Sequence, residues 1–121
     1  MKGTNTSRLG RRGEQAARKY LEGQGYQILE QNFRIVGVEF DLIARDDDTI
    51  VFIEVKARGS DEFGFPEEFV DERKIRRLIR GAKVYYEKKH FENYKARFDV
   101  VSMLCEDGRF KIDHLEHAFE E

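Results

Sequence analysis

Residues 38–56 constrain the fold most: "VEFDLIAR" and "TIVFIEVK" are two runs of strand-forming residues on either side of the aspartate cluster 46–48. Apolar residues alternate in both runs as in half-buried strands, and consecutive aspartates favour a turn. Strands this close in sequence pair antiparallel. Setting Arg45 opposite Ile50 puts Ile43 opposite Phe52, Asp41 opposite Glu54 and Glu39 opposite Lys56. One sheet face then runs from apolar near the turn to charged at the open end.

Helical periodicity frames this hairpin. Leu9, Gly13, Ala16, Ala17, Tyr20 and Leu21 recur at helical spacing over 8–23, with Ser7 as the cap and Gly25 as the stop. Glu14 falls beside Leu21 at the margin of that stripe, since successive residues rotate by about 100°. Residues 26–36 read as a further strand. Over 71–89, Ile75, Leu78, Ile79, Ala82, Tyr85 and Tyr86 form an apolar stripe, and Arg73, Arg76, Arg77, Arg80 and Lys83 occupy the other faces. Tyr85 and Tyr86 are therefore expected in the core. "RFDVVSML" (97–104) reads as a strand, "EDGR" (106–109) as a turn and "FKID" (110–113) as a short return, with "HLEHAFEE" as a final helical turn. The order predicts an α/β fold: one domain over 1–121, a small mixed sheet flanked by helices.

Charge is segregated along the chain. Residues 1–19 carry six Lys/Arg against Glu14, and 73–97 carry ten against Glu87 and Glu92; residues 20–72 and 98–121 hold the acidic excess, and the whole chain is −2. This suits a protein that offers basic surface to a polyanion and gathers carboxylates elsewhere; helices with solvated charged faces give the same composition. No apolar run approaches the roughly 20 residues a membrane-spanning helix needs. The N-terminus lacks the apolar core of a secretory signal, and the single cysteine, Cys105, follows an apolar run as a structural thiol would. A cytoplasmic protein without membrane association is expected. His114 and His117 lack further His or Cys ligands nearby and read as surface residues.

Carboxylates facing each other across a strand pair repel unless a cation or a proton lies between them. Mg²⁺ takes hard oxygen ligands, commonly one or two carboxylates together with waters and a phosphate. Asp41 and Glu54 supply two such ligands, and the carbonyl of Val55 a third. Lys56, on the same face as Glu54, is placed to orient water or meet a phosphate oxygen. These groups describe metal-assisted phosphodiester hydrolysis. They also suit a Glu54/Lys56 ion pair closing an apolar strand.

The stretches "GRRGEQAARKYLEGQGYQILEQNFR", "EFDLIARDDDTIVFIEVKAR", "FGFP" and "RFDVV" resemble the YraN-like family of small bacterial proteins. That family belongs to the restriction-endonuclease-like PD-(D/E)xK superfamily, which includes archaeal Holliday junction resolvases. The resemblance, from Leu9 to Val101, implies a core of helix, three strands, helix and strand. It places the superfamily's metal-binding aspartate at Asp41, its second acidic residue at Glu54, its lysine at Lys56 and an acidic helix residue at Glu14. Further family positions fall on Lys74, Arg97 and Asp99, of which Asp99 equally suits a partner for Arg97. Phe40 stands where the superfamily's proline would precede Asp41, and Val38 where the family has Gly, with Gly37 one residue earlier.

The resemblance implies an endonuclease that uses Mg²⁺ or Mn²⁺ on DNA, including branched or structured DNA. Glu14, Asp41, Glu54 and Lys56 form the expected catalytic set, and Asp41, Glu54 and Val55 the metal ligands. Lys74, Arg76, Arg77, Arg80 and Arg97 are the expected phosphate contacts. Resolvases acting on symmetric junctions suggest a homodimer. The competing reading is a nucleic-acid-binding or partner-recruiting module that keeps the fold without cutting.

Overall fold

A computed structural model of the chain describes residues 4–59 and 71–119. The "FGFP" stretch (63–66) lies outside them. The elements are α1 (Thr4–Gly23), β1 (Gln27–Ile35), β2 (Val38–Asp46), β3 (Thr49–Gly59), α2 (Glu72–Lys89), β4 (Lys95–Glu106) and β5 (Arg109–Phe119). The strands form one sheet in chain order, β1-β2-β3-β4-β5. Every neighbouring pair is antiparallel except β3 and β4, which run parallel with Thr49 beside Lys95. Parallel neighbours need a crossover, and α2 lies within that connection. The mixed α/β architecture expected from the sequence is present. Among the described residues no helix is long and apolar enough to cross a membrane.

Each helix covers one sheet face. On the α1 face, Ala17, Leu21 and Tyr26 pack with Leu42, Ala44, Val51, Ile53, Val101 and Met103. On the α2 face, Leu78, Ala82 and Tyr85 pack with Phe40, Ile43, Ile50, Phe52 and Phe98. Phe52 anchors this second layer, its ring centroid 4.9 Å from that of Phe40 and 5.2 Å from that of Phe98. Burying such a side chain contributes roughly 1.5–3 kcal/mol. Tyr85 is 1% exposed, as its place on the apolar stripe predicts.

The hairpin register matches expectation from the turn to mid-strand: Arg45 pairs with Ile50, Ile43 with Phe52 and Leu42 with Ile53, where the β2–β3 ladder ends. The β1–β2 ladder continues past this point but skips from Gln31–Leu42 to Phe33–Phe40. The skipped positions are Asn32, at φ 51°, and Asp41. Side-chain alternation in β2 changes there: Leu42 and Ala44 face α1, whereas Val38 and Phe40 face α2. Residues 38–41 therefore turn away from β3, and neither Asp41 with Glu54 nor Glu39 with Lys56 becomes the ladder pair that the extrapolated register requires. Local distortions of this kind commonly re-aim a side chain beside a functional site.

Two other departures have physical causes. The segment after 113 continues β5 to Phe119 instead of forming a helical turn. β4 needs a partner along its outer edge, and pairing with β4 outweighs the weak helical preference of "HLEHAF". His114 is consequently buried against the sheet and not on the surface. At the other end of the sheet, Ile35 pairs with Val38, so Val36 and Gly37 make a two-residue turn with φ of 42° and 79°. Gly37 adopts this conformation without strain, so the positive φ falls on the glycine one residue before Val38. For Val36 the left-handed region costs roughly 1–2 kcal/mol.

α1 approaches β3 closely enough that a Cβ added at Gly13 would lie 2.6 Å from the Cβ of Ala57. Neither atom can rotate away, because each is fixed to its backbone. Gly13→Ala is therefore expected to destabilise the fold by about 1–3 kcal/mol in urea unfolding, despite alanine's higher helix propensity. Adding Ala57→Gly should recover most of that loss, giving strong non-additivity in a double-mutant cycle.

Candidate active site

Where β2 leaves β3, the Val55 N–H loses a backbone partner on that side. Asp41 replaces it: its Oδ2 accepts the Val55 N–H at 2.7 Å. The bond fixes one carboxylate oxygen against β3 and satisfies an amide that would otherwise be unpaired. Asp41 is only 8% exposed. In an extended strand the N–H and C=O of one residue lie on the same edge, so the Val55 carbonyl also lies toward Asp41.

Glu54 and Lys56 follow the β3 alternation onto the α2 face, with Lys56 Nζ 3.2 Å from Glu54 Oε2. α2 adds a second cation. Asp71 caps the helix, its side chain accepting the Lys74 N–H at 2.8 Å. That cap fixes the first turn, and Lys74 Nζ reaches Glu54 Oε2 at 2.6 Å. The Glu54 side chain is 13% exposed, so these charge-assisted contacts act largely away from bulk water. Arg77 lies one helical turn after Lys74. Asp41, Glu54, Lys56, Lys74 and Arg77, together with Gly37, Val38 and Glu39, line a cleft of about 330 Å³.

The donor set suits a hard divalent cation. Asp41 and Glu54 offer carboxylate oxygens and Val55 a carbonyl, while among the described residues no three His, Cys, Asp or Glu side chains form a ligand group. Two carboxylates are the number Mg²⁺ commonly takes from protein while retaining waters. A closed four-ligand site of the zinc type does not match this set.

The other expected residues are distributed differently. Glu14 sits half-buried on α1, one residue from the Gly13–Ala57 crossing, and does not line the cleft. Arg76 and Arg80 are exposed and border a separate, largely apolar hollow with Ile79, Lys83 and Val84. Of the three α2 arginines singled out in the sequence, only Arg77 faces the cleft. Glu39 was not among the expected site residues; its two-residue spacing from Asp41 was the available signal.

Arg97 is not positioned as a surface phosphate contact. Its side chain is 10% exposed, and its Nε and Nη2 donate to the two oxygens of Asp99 at 3.0 and 3.1 Å. Arg97 also donates to the Tyr26 hydroxyl and lies near Asp46 and Glu116. Burial alone would ease loss of its proton, but the hydrogen bond and charge of Asp99 outweigh this and hold the guanidinium more firmly charged. Asp99 further meets His114 Nε2 at 2.7 Å and accepts the His117 N–H at 3.2 Å, where β5 arches past it. His114 Nδ1 lies 3.1 Å from the Tyr20 hydroxyl of α1. This network joins α1, β4 and β5 on the face opposite the cleft.

Fold and site together define a small mixed α/β domain in which a sheet distortion carries a carboxylate–lysine cleft. The chain belongs to the family described as uncharacterised protein family UPF0102, the YraN-like group, whose model matches residues 13–103 and so spans the cleft. It is 45% identical over 117 residues to the UPF0102 protein of Syntrophus aciditrophicus, covering 97% of this chain and 92% of that one. With the UPF0102 protein of Syntrophomonas wolfei the identity is 48%, covering 92% and 96%. A UPF0102 protein of Caldanaerobacter subterraneus is 39% identical over 98% of this chain and its own full length.

The Arg97 geometry predicts a structural phenotype. Arg97→Leu leaves Asp99 buried without its main cation and is expected to cost about 3–5 kcal/mol in urea unfolding. Arg76→Leu, at an exposed position, should change stability by less than about 0.5 kcal/mol in the same measurement.

Proposed function

We propose that this chain is a metal-dependent endonuclease that hydrolyses DNA phosphodiester bonds. The observation that carries the reading is the convergence of Asp41, Glu54 and Lys56 in one cleft, with Lys74 and Arg77 on its helical wall. Asp41 and Glu54, with the Val55 carbonyl, would hold Mg²⁺ or Mn²⁺. When bound, such an ion supplies charge neutralisation at a phosphate oxygen and makes water more acidic.

The chain's own groups have separate tasks. Asp41 is pre-positioned by the Val55 N–H, so its carboxylate is not reoriented when phosphate arrives. Lys56 Nζ donates to the incoming water or to a non-bridging phosphate oxygen, where negative charge builds as the new P–O bond forms and the bond to the leaving oxygen breaks. Arg77 and Lys74 hold the flanking backbone, and a bidentate guanidinium favours one orientation of a phosphate. Exposed Arg73, Arg76 and Arg80 extend the positive surface along α2.

Neutralisation of Glu54 by both Lys56 and Lys74 favours a second reading, a module that binds nucleic acid without cutting it. Cleavage assays on linear, nicked and four-way DNA with Mn²⁺ separate the two. For a nuclease, Asp41→Asn and Glu54→Gln should each lower the cleavage rate by at least about 100-fold while DNA binding persists. A wild-type chain that binds every substrate and cuts none supports the module; cleavage undiminished in both variants overturns the site.

Binding itself should be salt-dependent. Neutralising Arg76, Arg77 and Arg80 to Gln is expected to flatten the slope of log K against log salt by about 2–3, close to one unit per lost phosphate contact. An unchanged slope would remove α2 from the interface.

A further inference from the structure

Val36 combines two unfavourable features at one position. It is 51% exposed, against 37% for Ile112, the other exposed large apolar residue among those described. It also holds φ 42° at the first position of a two-residue hairpin turn. Turns with positive φ at both residues favour Asn-Gly, and a β-branched side chain is poorly suited to that region. Asparagine would relieve the strain and the exposure together. A local rule broken without structural benefit points to a task at the turn.

The turn's location indicates the task. Gly37, Val38 and Glu39, the residues directly after Val36, line the same cleft as Asp41, Glu54 and Arg77. The side chain is stiff because it is β-branched, and it stands on a turn anchored by the Ile35–Val38 pair. Proteins that bind the minor groove frequently insert apolar side chains between base steps and partly unstack them. Unstacking takes least energy where pairing is already interrupted.

We propose that Val36 is a wedge that enters the base stack next to the phosphate held in the cleft, so that the protein selects nucleic acid with interrupted stacking over continuous duplex. This rests on the nucleic-acid reading above and adds to it a residue that sets substrate choice. Val36 would contact the bases and not the reacting phosphate, so it sets specificity without a part in the chemistry. A protein partner seated on the turn is the competing occupant.

The test uses the full chain carrying Glu54→Gln, in Mg²⁺ buffer, to confine the measurement to binding. The probes are a paired duplex and the same duplex with a one-base bulge beside 2-aminopurine. The parent should bind the bulged DNA about tenfold more tightly and raise the 2-aminopurine fluorescence. Adding Val36→Asn should abolish both the preference and the fluorescence rise without lowering Tm, whereas adding Ile112→Asn should leave both in place. A preference and fluorescence rise that survive Val36→Asn overturn the wedge. Equal binding of both probes by the parent also overturns it, and leaves the DNA reading standing. Binding to neither probe sinks both proposals, and with them the assignment of nucleic acid as occupant of the turn.

Discussion

The hydrogen bond from the Val55 amide to the Asp41 carboxylate is the contact on which the cleft depends. A sheet that remained fully laddered at this point would use the amide for a backbone bond and leave no opening between β2 and β3. Because β2 turns at Asp41, the strands separate, and the carboxylate takes over the role of a ladder acceptor. One interaction thus closes the sheet's hydrogen bonding and opens the site. The cost of burying Asp41 is offset within the strand pair, so the carboxylate is held by structure rather than by a flexible loop.

Much of this was legible in the sequence. Alternation placed Glu54 and Lys56 on one face, and the aspartate turn fixed the register that brings Asp41 close to Glu54. What the register could not convey was that pairing stops at Leu42. The stop coincides with a left-handed Asn32 in the neighbouring strand, a conformation that an asparagine permits but does not dictate. Lys74 was visible as a basic residue in the first turn of a helix. Its contact with Glu54 required knowing that Asp71 is the cap and how α2 sits over β3. The pairing of the tail is set by β4, a tertiary partner that local helical preference does not reveal; Arg97 and Asp99 share a strand face through their two-residue spacing, but nothing local shows how deeply the pair is buried.

The two helices serve unlike purposes. α1 packs closely enough to exclude a Cβ at Gly13, and its contribution is shape. α2 contributes aromatic packing from Tyr85 on one side and cations from Lys74 and Arg77 on another. Burial pushes the Tyr86 hydroxyl up to about 12, so this ring stays neutral as a packing element well above ordinary pH. α2 thus presents the cleft with cations from Lys74 and Arg77, backed by a neutral packed core.

The Arg97–Asp99–His114 network and the cleft lie on opposite faces of the sheet. Among the described residues, the charges placed in the Arg97–Asp99–His114 network are not those that line the cleft with Asp41 and Glu54. Chemistry and architecture are consequently free to drift apart: a lineage could exchange Lys56 or Lys74 and alter or lose its reaction while inheriting an intact scaffold, whereas Asp41 serves both. Family membership alone is then a record of the back of the sheet as much as of its front.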